Sequence, residues 1–338
     1  MKGLNMRAVV LLLSGLVCMT GVSAGFAQGD NAAFCDAYFR EVMRTGTISR
    51  LSVAIEQGGQ TRYAFAGKDE KPRNVEFTAK TPLPVASITK VFTATLIVKL
   101  VEDGKISLYD NVRRFIPEFP FDDVLLLNLL THTSGCRNRT KGYSRAGKEL
   151  FYDDLCREFP VDTDFRYFSS GYDVLADVVE RISGMTLQDY GRQVVFDRIG
   201  MGSTVFPDDG QGGAGMTTTA EDLLKFSRHL LNVRKTGKTG ILTRFSVDLM
   251  FREVTRGRYD RTPAFFKKSQ SRRFGRYFGD LNSEEAVGHA GATGCFFCID
   301  PEYDLAMVFL SADSNGEWKG SDESFARVCN VLMGCFAN

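Results

Sequence analysis

The chain has 338 residues, of which 43% are hydrophobic and 25% are charged, and its formal net charge at pH 7 is +1. This is the composition of a globular protein, and the length suffices for one large domain or two modest ones. The almost balanced charge excludes the broad positive field that a general nucleic-acid binder carries, so we expect no nucleic-acid partner.

The N-terminus has the pattern of an export signal. Lys2 and Arg7 flank the start, residues 8–17 are almost wholly apolar, and Val22-Ser23-Ala24 has the small residues of a cleavage site. We therefore expect a signal peptide over residues 1–24 and a periplasmic or secreted mature protein. The apolar run is short for a membrane span. The alternative is a leader that is not cleaved and stays as an N-terminal membrane anchor.

The predicted elements of the first third are, in chain order, an amphipathic helix over 31–45, strands over 51–55 and 63–67, and a helix from Ser87 to about Glu102. Gly58-Gly59 joins the two strands as a hairpin turn. The helix follows two prolines, which fix the chain before a helix but are poor inside one. Asp103-Gly104 ends it.

Helices dominate the middle of the chain. The candidates cover 124–130, 174–182, and a segment from Leu223 to Leu230 that Thr218 or Thr219 can cap. The pattern is strand-like again over 295–299 and 305–310, and a helix over 325–333 follows. We therefore predict an α/β (α+β) domain from residues 25–108 and 240–338, interrupted by a mainly helical domain over 109–239. The seam between them can carry a site.

Two features of this part of the chain have open interpretations. Residues 256–276 are rich in arginine, lysine and aromatic residues. We interpret them as solvated surface, and the alternative is the mouth of a site that attracts anions. His132 is interpreted as a structural residue that holds a loop by hydrogen bonds.

Seven of the eight cysteines remain once the leader with Cys18 is removed, so at least one thiol is free or pairs between chains. Export makes disulfides permissible. Cys295 and Cys298 have the spacing of half a metal site, but the sequence has no second pair of this kind. If their segment is a strand, the two side chains face opposite sides of it and do not bridge each other. We expect no metal and no cofactor.

The strongest candidate for chemistry is the pair Ser87 and Lys90. Residues three apart on a helix share a face, and Ser87 falls in the first turn, where unpaired backbone N–H groups concentrate positive potential. A serine needs a base to become a nucleophile, and a desolvated lysine can be that base or can depress the pKa of another one. The alternative is an ordinary helix start with a surface lysine.

Five segments in register resemble the serine hydrolases that include class C β-lactamases, low-molecular-weight penicillin-binding proteins (DD-peptidases) and related esterases. They are Ser87-Ile88-Thr89-Lys90, Leu129–Gly135, Phe165–Ser169, Ala214–Asp222 and His289–Gly294. The resemblance covers nearly the whole mature chain. It implies a β-lactamase/transpeptidase-like fold, an antiparallel sheet flanked by helices with a mostly helical insertion. No Gly-x-Ser-x-Gly elbow of a standard α/β-hydrolase is present.

The resemblance also implies catalytic roles. Ser87 would attack an acyl carbonyl and become acylated, and Lys90 would assist its deprotonation. Tyr167 would lie near both and serve as general base for the attack and as general acid toward the leaving group, and which of the two residues leads stays open. His289 would orient the proton network or the substrate carboxylate.

Further residues acquire roles by the same resemblance. The backbone N–H groups of Ser87 and Ala292 would form the oxyanion hole, and Gly291 would leave room for substrate beside the strand. Ser169 stands where the family has an asparagine, and its single hydroxyl offers fewer contacts to substrate. Phe168 replaces a residue that is usually small, so we expect it to narrow the cleft.

The function implied is that of an exported, monomeric serine acyl hydrolase that forms an acyl-enzyme on Ser87. Its substrate would be a small peptide of D-alanyl type or an ester. The alternatives are a β-lactamase, and a catalytically weak penicillin-binding or sensor protein. Because the termini come together in this fold, Cys35 is expected to pair with Cys329 or Cys335.

Overall fold

The computed structural model describes residues 37–39, 50–67, 78–140, 145–146, 149–150, 152–269, 274–312 and 322–336. The strands are β1 (Arg50–Gln57), β2 (Gln60–Gly67), β3 (Leu83–Pro84), β4 (Cys136–Asn138), β5 (Arg145–Ala146), β6 (Glu149–Leu150), β7 (Leu155–Arg157), β8 (Thr217–Thr218), β9 (Phe266–Lys267), β10 (Val287–Gly291), β11 (Cys295–Asp300) and β12 (Leu305–Ala312). The α-helices are α1 (Thr89–Glu102), α2 (Leu126–Thr131), α3 (Ser170–Ser183), α4 (Leu187–Gly191), α5 (Asp197–Ile199), α6 (Ala220–Thr236), α7 (Arg244–Phe251) and α8 (Asp322–Phe336).

Six of these strands form one sheet in the order β2-β1-β12-β11-β10-β9, and every neighbouring pair is antiparallel. β9 pairs with β10 only at Val287 and Gly288, so it covers just the first part of that strand. The predicted α/β fold, an antiparallel sheet flanked by helices, is confirmed.

Both faces of the sheet are buried, and the period of two along a strand sorts side chains between them. On β11, Phe297 and Ile299 belong to the apolar core that contains α1 and α3. Phe296 and Cys298 belong to a second core that contains residues of α8. Cys295 lies in the first core and Cys298 in the second, and both thiols are free. The prediction that these two cysteines face opposite sides of a strand is therefore confirmed.

α1 runs through the larger core, and 11 of its 14 residues are buried. The chain enters it through a 3-10 turn over Ala86–Ile88, so the α-helix itself begins two residues after the predicted start at Ser87. Ala86 adopts a φ of 44°. This conformation is strained for a residue with a Cβ, and such strain is typical of functional sites.

Several predicted elements are confirmed, and others lie outside the described residues. Thr219 caps α6 by accepting a hydrogen bond from the Asp222 N–H, which decides between the two predicted caps. Residues 37–39 are helical, and the rest of the predicted 31–45 helix and the whole leader fall outside the described ranges. Within the described ranges, none of the helices is both long and apolar enough to traverse a lipid bilayer.

The division into residues 25–108 with 240–338 and residues 109–239 stays a prediction. α6 falls in the second segment but packs against β1 and β12 of the sheet.

The pairing of Cys35 also falls outside the described residues, but its two possible partners differ. Cys335 is disulfide-bonded, whereas Cys329 carries a free thiol, so a Cys35–Cys329 bond is excluded.

Candidate active site

Ser87 and Lys90 lie side by side where the 3-10 turn joins α1. Lys90 is fully buried, and its Nζ donates hydrogen bonds to Ser87 Oγ at 3.3 Å, to Ser169 Oγ at 3.1 Å and to the Gly213 carbonyl oxygen at 2.5 Å. These acceptors match the three donors of an ammonium group. The alternative interpretation, a surface lysine at an ordinary helix start, is wrong, because Lys90 points into the protein toward the serine.

Burial also changes the proton affinity of Lys90. It lowers the pKa to about 7, with a smaller upward contribution from the Asp173 carboxylate and a downward one from the Arg261 guanidinium. Taking a charge out of water disfavours the charged form. A substantial fraction of Lys90 is therefore a neutral amine near neutral pH, which is the form that can accept the Ser87 proton.

Two glycines hold the carbonyl that contacts Lys90. Asp173 Oδ1 accepts hydrogen bonds from the N–H groups of Gly212 and Gly213, both at 3.0 Å. A Cβ on Gly213 would lie 2.6 Å from the Ser169 carbonyl oxygen, and one on Gly212 would lie 2.3 Å from a backbone oxygen of α3. The loop that contains Gly212 and Gly213 thus packs directly on the start of α3 and presents the Gly213 oxygen to Lys90.

Tyr167 completes the group around the serine. The Ser87 side chain is near enough to lower the pKa of Tyr167, and Lys90 Nζ lies 4.9 Å from the centre of the Tyr167 ring. Burial raises the pKa of Tyr167 to about 12, although the neighbouring Ser87 side chain and the Arg261 charge act against this rise. Tyr167 is consequently a protonated phenol at neutral pH, able to donate a proton.

His132 positions the segment that carries Tyr167. It ends α2 in the left-handed conformation with a φ of 61°. Its Nδ1 accepts the Phe168 N–H at 3.1 Å, and its ring centre lies 4.4 Å from that of Tyr167. Burial lowers the pKa of His132 well below its usual value, so the ring is neutral. The prediction that His132 is structural and holds a loop is confirmed.

His289 lies on β10 and is also buried and neutral, because burial lowers its pKa well below the usual value. Its Nδ1 is 2.8 Å from the Ala290 carbonyl oxygen. A carbonyl can only accept, so Nδ1 carries the hydrogen and Nε2 has a free lone pair. Nε2 is buried without a hydrogen-bond partner among the described residues. A neutral ring cannot supply the permanent charge that a lysine would.

β10 approaches the serine turn closely at Gly291. A Cβ there would lie 2.2 Å from the Val85 carbonyl oxygen, two residues before Ser87. Gly291 is buried, and Ala292, which follows it, is exposed at the cleft side of the turn from β10 to β11. A side chain at position 291 would therefore force the strand and the serine turn apart.

The structure overturns the expectation for Phe168. Its side chain is buried in the larger core and packs against Gly171, where a Cβ would lie 2.9 Å from Phe168 Cδ1. It points away from the cleft and does not narrow it. Aromatic side chains do border the site elsewhere: Phe274 stacks on Phe266 with 4.2 Å between ring centres and lies 5.5 Å from the Tyr167 ring.

The interpretation of 256–276 as solvated surface is wrong at Arg261. This residue is fully buried, and its Nη2 donates to Tyr172 Oη at 2.8 Å and to the Leu130 carbonyl at 3.1 Å. Its guanidinium lies 4.2 Å from the Phe266 ring. Nε and Nη1 have no partner among the described residues.

Arg261 and Asp173 are the site residues that sequence reasoning missed. The available signals were weak: Arg261 is followed by the apolar Ala264, Phe265 and Phe266, and Asp173 interrupts the apolar stripe of α3. Among the described residues, no group of histidine, cysteine and acidic side chains is arranged to hold a metal ion.

The chain is similar to known proteins over much of its length. The β-lactamase family model matches residues 35–328. Penicillin-binding protein 4* of Bacillus subtilis (strain 168) is 32% identical over 147 residues, which are 38% of this chain and 33% of that protein. A β-lactamase of Lysobacter lactamgenus is 26% identical over 215 residues, which are 54% of this chain and 56% of that protein. The chain thus spans between a third and somewhat over half of the length of these curated relatives.

A solved structure, the Beta-Lactamase/D-Alanine Carboxypeptidase from Pseudomonas syringae, has a TM-score of 0.73 at 17% identity and covers 92% of this chain and 100% of its own. This likeness shows a common fold. The family model extends over well more than half of the sequence. The resemblance inferred from the five motifs is confirmed, and the chain belongs to the β-lactamase family of serine hydrolases.

Proposed function

We propose that this protein is an exported serine acyl hydrolase that forms an acyl-enzyme on Ser87 and acts, as a monomer, on D-alanyl peptides or small esters. One observation carries the proposal: a buried lysine amine lies 3.3 Å from Ser87 Oγ, and the Tyr167 ring borders the same amine, with 4.9 Å from its centre to Lys90 Nζ. A nucleophile, a base and a proton donor are thereby grouped next to one another.

The directions of the two pKa shifts give Lys90 and Tyr167 different roles: Lys90 accepts a proton and Tyr167 donates one. Neutral Lys90 takes the Ser87 proton as Oγ bonds to the acyl carbonyl carbon, and the oxyanion is held by the N–H groups of Ser87 and Ala292. The bond to the leaving group then breaks. Protonated Tyr167 gives its proton to that group and is reprotonated from Lys90. Water repeats the sequence on the acyl-enzyme, which releases the acid and restores Ser87.

Two features disfavour efficient turnover of β-lactams. His289 is neutral, so it offers no permanent charge to a β-lactam carboxylate. Ser169 supplies one hydroxyl where the related enzymes have an asparagine, and that hydroxyl already accepts from Lys90. A small ester has no carboxylate and therefore does not depend on such a charge. β-Lactamase activity is accordingly proposed to be weak.

Export to the periplasm or the medium is proposed from the leader pattern at residues 1–24, with an uncleaved membrane anchor as the alternative. The disulfide at Cys335 supports an oxidising compartment. A second candidate function is a penicillin-binding or sensor protein that is acylated but not hydrolysed, and the replacement at Ser169 favours it.

An intact-mass time course tests these proposals. The protein is mixed separately with benzylpenicillin, a nitrophenyl ester and a D-alanyl-D-alanine peptide, and adduct mass and product are followed together. Ser87→Ala is the test variant, and Ser203→Ala, which alters an exposed serine, is the matched control.

Product released by wild type and control but not by Ser87→Ala supports the hydrolase. A stable adduct on Ser87 without product supports the sensor. Absence of adduct and product with all three compounds, or equal turnover by Ser87→Ala, refutes acyl transfer to this serine.

A further inference from the structure

Lys90 can accept the Ser87 proton only when its amine is neutral. The groups around Lys90 determine the fraction of molecules in which it is neutral. The titratable and charged side chains that face it come from several elements: Tyr167, Tyr172, Asp173, His132, Arg261 and His289. Burial keeps the two histidines neutral and the two tyrosines protonated. The groups that carry charge beside Lys90 are therefore Arg261 and Asp173.

Arg261 is an uncompensated buried cation. The guanidinium is fully buried, and no acidic side chain in the described part of the chain lies within ion-pair distance of it. It is one hydrogen bond from Tyr172 Oη, and Lys90 Nζ lies 5.6 Å from the Tyr172 ring centre. A charge that is neither paired nor exposed to water acts strongly on its neighbours, because little screens it.

Asp173 is the opposing charge. It is 1% exposed, on the first turn of α3, next in sequence to Tyr172. Its Oδ1 holds the Gly213 N–H, and the carbonyl of the same glycine accepts from Lys90 Nζ at 2.5 Å. Asp173 therefore reaches Lys90 through one glycine, by its field and by fixing an acceptor of the ammonium form.

We propose that Arg261 and Asp173 are paired positioning residues that set the neutral fraction of Lys90 in opposite directions. Arg261 favours the neutral amine and Asp173 favours the ammonium ion. Arg261 thus supplies a permanent positive charge near Lys90, where β10 offers only the neutral His289. The inference deepens the proposed function and rests on Lys90 acting as the base.

The signs follow from charge alone. Loss of the Arg261 cation makes protonation of Lys90 easier, so its titration midpoint moves to higher pH. Loss of the Asp173 anion makes protonation harder, so the midpoint moves to lower pH. Each neighbouring charge is expected to shift it by about one pH unit. For a group that titrates near neutrality, a rise of one unit reduces the neutral fraction at pH 7 about fivefold.

The test measures Lys90 directly, whether or not the protein turns over a substrate. Lysine labelled with ¹³C at Cε is incorporated, the Lys90 signal is assigned with Lys90→Met, and its chemical shift is followed against pH. Arg261→Gln and Asp173→Asn are compared with wild type. Asparagine keeps an oxygen for the Gly212 and Gly213 N–H groups, so it removes the charge with little change of the loop.

Each variant has a matched control. Arg258→Gln removes a cation three residues from Arg261 that is ion-paired with Asp162, and Asp177→Asn removes an acid one turn further along α3 that pairs with Arg181. Both are expected to leave the Lys90 midpoint unchanged. Arg261→Lys keeps the positive charge, so its Lys90 midpoint is expected to lie close to that of wild type. This comparison remains possible even if Arg261→Gln is poorly stable.

Opposite shifts of the two midpoints, with neither control moving, support the proposal. The proposal is overturned if the Lys90 midpoint is unchanged in folded Asp173→Asn and folded Arg261→Gln. It is also overturned if the midpoint is unchanged in Asp173→Asn but displaced in Arg261→Lys, which keeps the positive charge. The pH profile of nitrophenyl ester acylation is recorded in parallel. If wild type proves inactive on every substrate, the hydrolase proposal fails. The titration of Lys90 still decides whether Arg261 and Asp173 set its neutral fraction. If Arg261→Gln affects only substrates with a carboxylate and leaves the midpoint alone, Arg261 binds substrate and the inference is wrong.

Discussion

Replacing Gly291 by alanine perturbs a single backbone contact between β10 and the serine turn. The added Cβ would lie 2.2 Å from the Val85 carbonyl oxygen, whereas real contacts of this kind essentially never fall below 3.0 Å. The strand and the turn must therefore separate by about 0.8 Å. Neither side can give way by a rotamer change, since both contacting groups belong to the backbone.

The displacement is large on the scale of the chemistry. Oxyanion-hole donors act within roughly 2.7–3.1 Å of the charged oxygen, so a shift of this size removes the Ala292 N–H from effective contact. Loss of one such donor costs about 10²–10³-fold in rate, or roughly 2.7–4 kcal/mol. We expect the Gly291→Ala variant to form the acyl-enzyme slower by that factor.

Single-turnover acylation by a nitrophenyl ester measures the effect, and thermal unfolding reports whether the fold is retained. Gly202→Ala is the control, because a Cβ there meets nothing within 4 Å and its backbone is not left-handed. The control is expected to acylate at the wild-type rate. If folded Gly291→Ala acylates within about twofold of wild type, the close approach of β10 does not position the oxyanion hole and the reasoning fails.

Three further predictions concern the base, the motif replacement and the disulfide. Because burial lowers the pKa of Lys90 to about 7, wild-type acylation should rise with pH through neutrality, and Lys90→Met should lose that rise and about 10²–10⁴-fold of the rate in single-turnover assays; an unchanged profile would remove Lys90 as the base. Ser169→Asn should accelerate acylation by benzylpenicillin, since a carboxamide offers more donors and acceptors than a hydroxyl; a rate no higher than wild type would contradict the role given to that position. Cys335→Ser should lower the free energy of unfolding by about 2–5 kcal/mol in a denaturant titration, whereas Cys156→Ser, which alters a half-buried free thiol, should change it little; equal effects would show that the disulfide is not what stabilises α8.

The spacing of apolar residues and the positions of turn-forming residues predicted much of the fold. Period-two alternation and the Gly58-Gly59 turn indicated the first hairpin, and Asp103-Gly104 indicated where α1 ends. Ser87 and Lys90 were predicted as a pair because a separation of three residues is what places two side chains on the same face of a helix. Local patterns of this kind depend on neighbouring residues alone, so one sequence suffices to read them.

The misses have a different physical origin. Which arginine of a basic run is buried depends on segments distant in sequence: Arg261 is enclosed by Tyr172, Leu130 and Phe266. The direction of Phe168 was likewise set by its packing against Gly171. Such outcomes follow from tertiary contacts, which periodicity cannot show, and they include the charges that surround Lys90.

The burial of α1 has a consequence for how this enzyme can diversify. The helix that presents the nucleophile is enclosed by core side chains along almost its whole length, so nearly any change there disturbs packing before it touches selectivity. Phe165, Phe274 and Thr293 are only partly buried, so their replacement disturbs the interior less than a change within α1. Mutational libraries confined to these three positions should keep soluble folded members, and new acyl preferences should emerge from them while the reacting groups stay in place.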